Sequence, residues 1–307
     1  RVAPLHGRTA PASSIEEADE RTIRGSPAGA APTRIERMAS DSFVHLHNHS
    51  EYSMLDGAAK TKAMAEEAAR LGQPAIGLTD HGYLFGAYDF YMNCQKAGVK
   101  PIIGLEAYVT PGTSRFDRQK VTWGEPWQKS DDVSASGSYN HLTLIAYSTE
   151  GMHNLFRLGS YASTEGQFGK WPRADKELLS RYHKGLIVFT GCPSGAVQTR
   201  LRLGQWDEAV REAGELREIF GPENFYVEVM DHGIEFERRT SKQLLELAKL
   251  MNAPLVATND AHYVKKEDRK IQDALLCINS GSRITDTDRF KFDGDGYYIR
   301  PSEEMRS

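Results

Sequence analysis

Residues 43–57 read Phe43-Val44-His45-Leu46-His47-Asn48-His49-Ser50-Glu51-Tyr52-Ser53-Met54-Leu55-Asp56-Gly57. A short β-branched and aliphatic opening runs straight into histidines and ends on a carboxylate. In an extended chain residues i and i+2 point to the same side, so His47 and His49 can converge on one metal ion. Asp56 follows seven residues after His49. Imidazole, carboxylate and thiolate are the usual donors for zinc and similar ions.

The pattern recurs along the chain. Short strand-like runs fall at 43–46, 75–79, 101–109, 141–147, 185–190, 225–230 and 254–258. Helical spacing separates most of them, for example over Lys60–Leu71, Trp206–Phe220, Phe236–Met251 and Lys265–Ile278. Strands alternating with helices predict βα units, a parallel sheet and an α/β fold. Seven such units fit a barrel better than an open sheet, with the chemistry at the C-terminal ends of the strands. Those ends carry Asp80-His81-Gly82, Glu106, Cys192 and Asp260-Ala261-His262, while His141 opens the fourth run. A single ligand-type residue at a strand end is usually a turn or capping group. Six of the seven ends carrying them together point to one shared metal centre.

Nine candidate ligands, His47, His49, Asp56, His81, Glu106, His141, Cys192, Asp260 and His262, are too many for one ion, which takes about four. They suit two or three ions with bridging groups. Such clusters suit phosphoester hydrolysis, with a metal-bound hydroxide as the attacking group and no protein base assigned.

Composition sets the remaining bounds. The 307 residues are 39% hydrophobic and 26% charged, with a net charge of −4. A free-standing nucleic-acid-binding domain shows a basic excess, so any grip on DNA must be local, metal-assisted or supplied by another domain. Three cysteines far apart argue against a disulfide framework and for a reducing, cytoplasmic compartment. No run approaches the ~18 apolar residues of a membrane span, and a secretory signal is lacking. Residues 1–40, rich in Ala, Pro, Arg, Gly and Ser, read as a disordered extension, with Met38 as the expected natural start. The stretch 111–138 reads as a long loop able to cover a site.

The ligand-bearing motifs resemble those of the PHP (polymerase and histidinol phosphatase) family. The match is carried by the segments 43–60, 77–91, 139–148, 257–278 and 289–305. It is nearest to the N-terminal PHP domains of bacterial DNA polymerase III alpha subunits of the actinobacterial type. The resemblance implies a distorted seven-stranded (β/α) barrel over 41–285, with 286–307 beginning the connection to a polymerase core that this chain does not contain. It also implies three divalent ions, with zinc favoured and manganese possible. His47, His49 and Asp260 would hold one, His141 and Cys192 a second with Glu106 bridging, and Asp56, His81 and His262 the third. Tyr83 stands where the family pattern suggests Asn, at a position that is no ligand. The implied activity is 3′→5′ exonucleolytic proofreading at a DNA primer end. The implied partners are the rest of the polymerase and other replisome subunits. A catalytically silent, metal-stabilised structural domain and a stand-alone small-molecule phosphatase are the alternatives.

Other polar residues have plainer readings. His45 is expected in the core, as are Cys94 and Cys277. Asp80 either orients a ligand or caps a turn. A nucleophilic role for Cys192 is disfavoured, because a thiolate in a metal cluster is occupied as a ligand. Glu228, Asp231 and His232 follow the sixth strand and could face the site. Asp286, Asp288, Asp293 and Asp295 fall in turn-rich sequence and read as loops.

Overall fold

The structure is a computed structural model that describes residues 42–307. The expected extension at 1–40 and the start at Met38 lie outside the described residues. Among the described residues there are eight strands: β1 (Ala75–Leu78), β2 (Lys100–Val109), β3 (Asn140–Ala146), β4 (Gln167–Phe168), β5 (Trp171–Ala174), β6 (Leu186–Phe189), β7 (Phe225–Val229) and β8 (Leu255–Ala257). β4 and β5 form a short hairpin that extends the β2 edge at Tyr108 and Val109.

The main pairing path is β1-β2-β3-β6-β7-β8. Residues 45–49 join its two ends. On one side the Gly77 amide donates to the His45 carbonyl at 2.6 Å and the Thr79 amide to Asn48 at 2.9 Å. On the other, the His49 amide donates to Ala261 at 2.8 Å and the Ala261 amide to His47 at 3.2 Å. The first expected strand therefore enters as isolated bridges rather than a continuous ladder. Counting it, seven extended segments follow one another round, consistent with the expected distorted barrel. β1 approaches this segment closely: a Cβ on Gly77 would stand 2.7 Å from the Leu46 carbonyl oxygen.

The expectation of an all-parallel sheet needs correction. β3 runs antiparallel to both neighbours, β2 and β6. The 30 residues between Val109 and Asn140 return the chain to the end it has just left, so no crossover helix reverses it. His141 stands at the N-terminal start of β3 for this reason, yet on the same end of the sheet as the C-terminal ends of the other strands.

Helices cover the outside of the sheet. Trp206–Phe220 shows why they form: Asp207 and Glu208 sit in the first turn and Arg217 in the last, matching the helix dipole. Ala209, Ala213, Leu216 and Phe220 make its buried face. Glu235–Met251 ends at Asn252, which takes the left-handed conformation (φ 46°) common at helix C-termini. Two apolar clusters result. One packs β2, β3, β6 and β7 against the later helices. The other packs β1 against the helices Thr61–Arg70 and Ala87–Ala97, with Val264 and Ile299 closing it. Cys94 and Cys277 lie in the core as expected. Among the described residues no helix is long and apolar enough to cross a membrane.

Gly77 is expected to tolerate no side chain. Gly77→Val should cost about 1–3 kcal/mol through overpacking against Leu46, read as a lower melting temperature by circular dichroism. An unchanged melting curve would mean that this approach does not constrain the join.

Candidate metal centre

All nine expected ligands meet at one end of the sheet. Glu106, fully buried on β2, is the hub. Its Oε1 lies 3.1 Å from His47 Nε2 and 3.1 Å from His141 Nδ1, and Cys192 Sγ is 3.3 Å away. Its Oε2 lies 2.6 Å from His81 Nδ1 and 3.5 Å from His49 Nε2. Asp260 Oδ1 lies 3.4 Å from His47 Nε2 and 3.1 Å from His49 Nε2. Asp56 approaches His81 Nε2 at 3.0 Å and His262 Nε2 at 3.8 Å. Cys192 Sγ sits 3.4 Å from His141 Nδ1.

These distances draw together each of the three groups the resemblance implied. They also give Glu106 more neighbours than a bridge between two groups would need, because His81 reaches it as well. Donor atoms of His49, His81 and His262, of His47, His49 and Glu106, and of His81, Glu106 and His141 cluster closely enough to hold a metal ion.

The unpaired atoms test whether a cation fits. His47 Nε2, His49 Nε2, Asp56 Oδ1, His81 Nδ1, Glu106 Oε2, Asp260 Oδ1 and His262 Nε2 are all buried without a hydrogen-bond partner. Buried polar atoms are normally satisfied. Here seven unsatisfied nitrogen and oxygen atoms face one another, with the Cys192 sulfur beside them, a donor set that fits divalent metal ions.

The surrounding shell explains why these atoms are free. His47 Nδ1–H donates to Glu228 at 2.8 Å, and Glu228 is held by Thr258 at 2.7 Å and Thr143 at 3.3 Å. His49 Nδ1–H donates to Ser53 Oγ at 3.0 Å, which in turn donates to Asp80 at 2.8 Å. His262 Nδ1–H donates to the Asp260 carbonyl at 2.8 Å. In each case the partner on Nδ1 fixes the tautomer and turns the Nε2 lone pair into the cluster.

Asp80 therefore orients a ligand and holds a turn at once, because it also accepts from the Ser50 amide and hydroxyl. Glu228 stands behind His47 as a positioning group. His232 is turned away, bonded to Glu237 and the Asn259 carbonyl. His45 is buried and donates to the Arg300 carbonyl, and burial lowers its pKa to about 4. Sequence reading missed Ser53, Thr143 and Thr258 as supports. Single hydroxyl residues carry no pattern that would single them out.

Asp260 takes a left-handed backbone conformation, φ 44°. Such strain at a non-glycine residue costs about 1–3 kcal/mol and collects at functional sites. Asp260 and His262 thus reach the cluster through a sharp twist, and the straight i, i+2 alternation expected from sequence does not describe them. The C-terminal segment braces this turn: Asn259 Nδ2 donates to the Gly296 and Tyr298 carbonyls at 2.7 Å each, and Tyr297 O accepts from the His262 amide at 2.8 Å.

The crowding of charge shifts the titrations. Burial opposes the charged form of His47, but Asp260, Glu228 and Glu106 outweigh it and raise its pKa. Burial likewise opposes protonation of His81, yet Glu106 and Asp56 lift it to about 10. His49 is lowered to about 3 by burial and by the imidazoles of His81 and His262. Burial would raise Asp56, but His262 and His81 pull it down to about 2. The Cys192 thiol is pushed well up by burial, then by Glu106 and Asp260, so a thiolate there needs a nearby cation.

Metal binding should therefore release protons. In the metal-free chain at neutral pH, Cys192, His47 and His81 hold protons that ligation displaces, so affinity should climb as pH rises. Calorimetric zinc titration in buffers of different ionisation enthalpy reads this directly; binding without proton release would contradict the assignment. Glu228→Gln should weaken metal binding about 10-fold by loosening His47, measured by competition with a chromogenic chelator. Unchanged affinity would remove Glu228 from the positioning shell.

Residues 45–232 match the PHP domain family. The DNA polymerase III subunit alpha of Mycobacterium tuberculosis is 57% identical over 268 residues, covering 87% of this chain and 23% of that protein. Its counterpart in Saccharopolyspora erythraea is 53% identical over 276 residues, covering 88% and 23%. The chain thus spans about a quarter of the length of these curated relatives. A solved two-domain protein from Bacteroides vulgatus, described as containing a predicted PHP-like metal-dependent phosphoesterase, is similar at 16% identity. It overlaps 72% of this chain and 52% of its own, with a TM-score of 0.43. With its motifs, its gathered side chains and the family match over 45–232 in agreement, the chain belongs to the PHP domain family.

Proposed function

We propose that this chain is the N-terminal PHP domain of a DNA polymerase III alpha subunit, acting in the cytoplasm as a metal-dependent 3′→5′ exonuclease on a mismatched primer end. The single observation that carries the metal-dependent chemistry is the set of seven buried, unpartnered donor atoms facing one another. The relatives supply the replication context. Its partners would then be the primer end, the rest of the polymerase and other replisome subunits.

The residues divide the work. His47, His49 and Asp260 hold one position, His141 and Cys192 a second, and Asp56, His81 and His262 the third, with Glu106 touching several of them. Three divalent ions, zinc by the His and Cys content or manganese, would supply an acidified water and positive charge against the phosphate oxygens. Glu228 and the Ser53–Asp80 pair keep the imidazoles aimed inward. Tyr139, stacked on the His141 ring at 5.3 Å, and Phe292, edge-on to His262 at 4.7 Å, flank the cluster with apolar surface that limits water. No side chain is assigned as a general base.

A second reading rests on where the ligands come from. They draw residues 47–49, 56, 81, 106, 141, 192 and 260–262, which come from separate segments of the chain, onto one cluster. Metal binding there is also folding energy, and a silent, stabilising centre would look alike. The third alternative, a stand-alone phosphatase, has no observation in its favour beyond the family itself.

A gel assay on a 3′-mismatched primer–template separates these readings. It compares this chain, a polymerase-length protein that carries it, and the Asp260→Asn form of each, with and without chelator. Asn retains access to the left-handed backbone, so the variant removes charge without new strain. Metal-dependent trimming that falls at least about 100-fold in the variant, about 2.7 kcal/mol of transition-state stabilisation, is the expected result. No trimming by any form, with a melting temperature that drops on chelation, would favour the structural reading.

A further inference from the structure

A cavity of about 650 Å³ opens beside the metal centre, between the helix Arg269–Ser280 and the segment around Lys291. Phe292 lies in its wall, and the edge of that ring rests on His262. The cavity and the cluster are therefore neighbours that share one side chain.

The charge of the lining contrasts with that of the chain. Two of its cations are spent within the fold: Arg289 grips Asp273 with contacts of 2.6 and 2.8 Å, and Lys266 faces Asp295 at 3.1 Å. Among the described residues Arg269, Lys270 and Lys291 form no salt bridge, against one unpaired carboxylate, Glu267. The lining is thus basic in a protein of net charge −4.

Exposed lysines alone would mean little. Two buried donors make the difference. Gln272, 2% exposed, has its Nε2 unpartnered, and Arg289 Nε is buried and unpartnered as well. Both residues line the cavity. Unsatisfied buried groups are rare and call for a partner. A glutamine amide nitrogen and a guanidinium nitrogen can only donate, so the missing partner is an acceptor. In a basic lining, that acceptor is an anion rich in oxygen.

We infer that this cavity is a phosphate-binding subsite that holds the backbone of a single nucleic-acid strand whose end reaches the metal centre. The inference rests on the phosphodiester reading of that centre, and it names the part of the substrate gripped outside it. Phosphate contacts position a strand without reading its sequence. Phe292 and the adjoining Phe290, 61% exposed, offer aromatic surface on which a base can stack. The strand would pass from the cluster over Phe292, with the next phosphates along Lys291, Lys270 and Gln272.

The test is strand binding, measured apart from cleavage. A short, 5′-fluorescein-labelled single-stranded phosphorothioate oligonucleotide, which resists hydrolysis, is titrated with the metal-loaded chain. Fluorescence anisotropy is followed across a salt series. The Lys270→Ala/Lys291→Ala double variant and Gln272→Leu are compared with the parent, after metal content and melting temperature confirm folding. Each phosphate contact on a single strand contributes about 0.7 to the slope of log affinity against log salt. Losing two contacts should flatten that slope by about 1.4, and Gln272→Leu should weaken binding at fixed salt.

Unchanged affinity and slope in the variants, or no measurable binding by the parent, would overturn the proposal. So would variants that lose inorganic phosphate, followed by its competition with the oligonucleotide, while keeping their strand affinity, because the cavity would then be a free-anion site. Weakened strand binding in the variants, alongside a parent that trims no primer, would leave the cavity assigned and the exonuclease reading refuted.

Discussion

A buried carboxylate ringed by imidazoles governs this end of the molecule. Glu106 is fully buried on a central strand, and His47, His49, His81 and His141 approach its two oxygens together with the Cys192 thiol. Isolated, a buried charge of this kind is strongly unfavourable. It becomes tenable only when the neighbours carry compensating positive charge. In the metal-free chain protons on His47 and His81 provide part of it. A divalent ion provides more in less space, leaving the imidazoles neutral as ligands and the thiol free to ionise. The same crowding that would destabilise an empty cluster therefore makes it select for cations.

That hub depends on a shell that makes no contact with the cluster's centre. Glu228 receives the far nitrogen of His47, the Ser53–Asp80 pair that of His49, and a backbone carbonyl that of His262. Each bond removes one freedom from a ring that could otherwise flip or change tautomer. The strained backbone at Asp260 belongs to the same arrangement, since the segment from Gly296 to Tyr298 holds that turn in place by hydrogen bonds. Precision at the ligands is thus spread over residues far apart in the chain, several of them past residue 290.

The sheet contributes through direction as much as position. Because β3 runs against its neighbours, its first residues reach the end where the other strands finish. His141 can then face Glu106 and Cys192. The basic cavity shows a similar division between local and global properties. The chain is acidic overall, yet the helix Arg269–Ser280 and the segment around Lys291 gather unpaired cations next to the cluster.

The ligand types were legible in the sequence, because His-x-His, Asp-His-Gly and Asp-x-His are short local patterns of donor residues that can be read without knowing the fold. So were the helices over 206–220 and 236–251, whose apolar spacing matches their buried faces. The burial of Cys94 and Cys277 followed from their apolar neighbours, and that of His45 from the strand face it shares with His47. Tertiary structure alone decided the rest. The antiparallel course of β3 depends on how a long connection returns, which no local spacing encodes. The left-handed turn at Asp260 is imposed by hydrogen bonds to residues 296–298, about 40 positions away. The supporting roles of Ser53, Thr143, Thr258 and Glu228 arise from contacts across 4 to 181 residues. The sequence alone specifies which atoms are available to bind a metal; only the folded chain, by closing distance and removing water, decides which of them are left without any other partner.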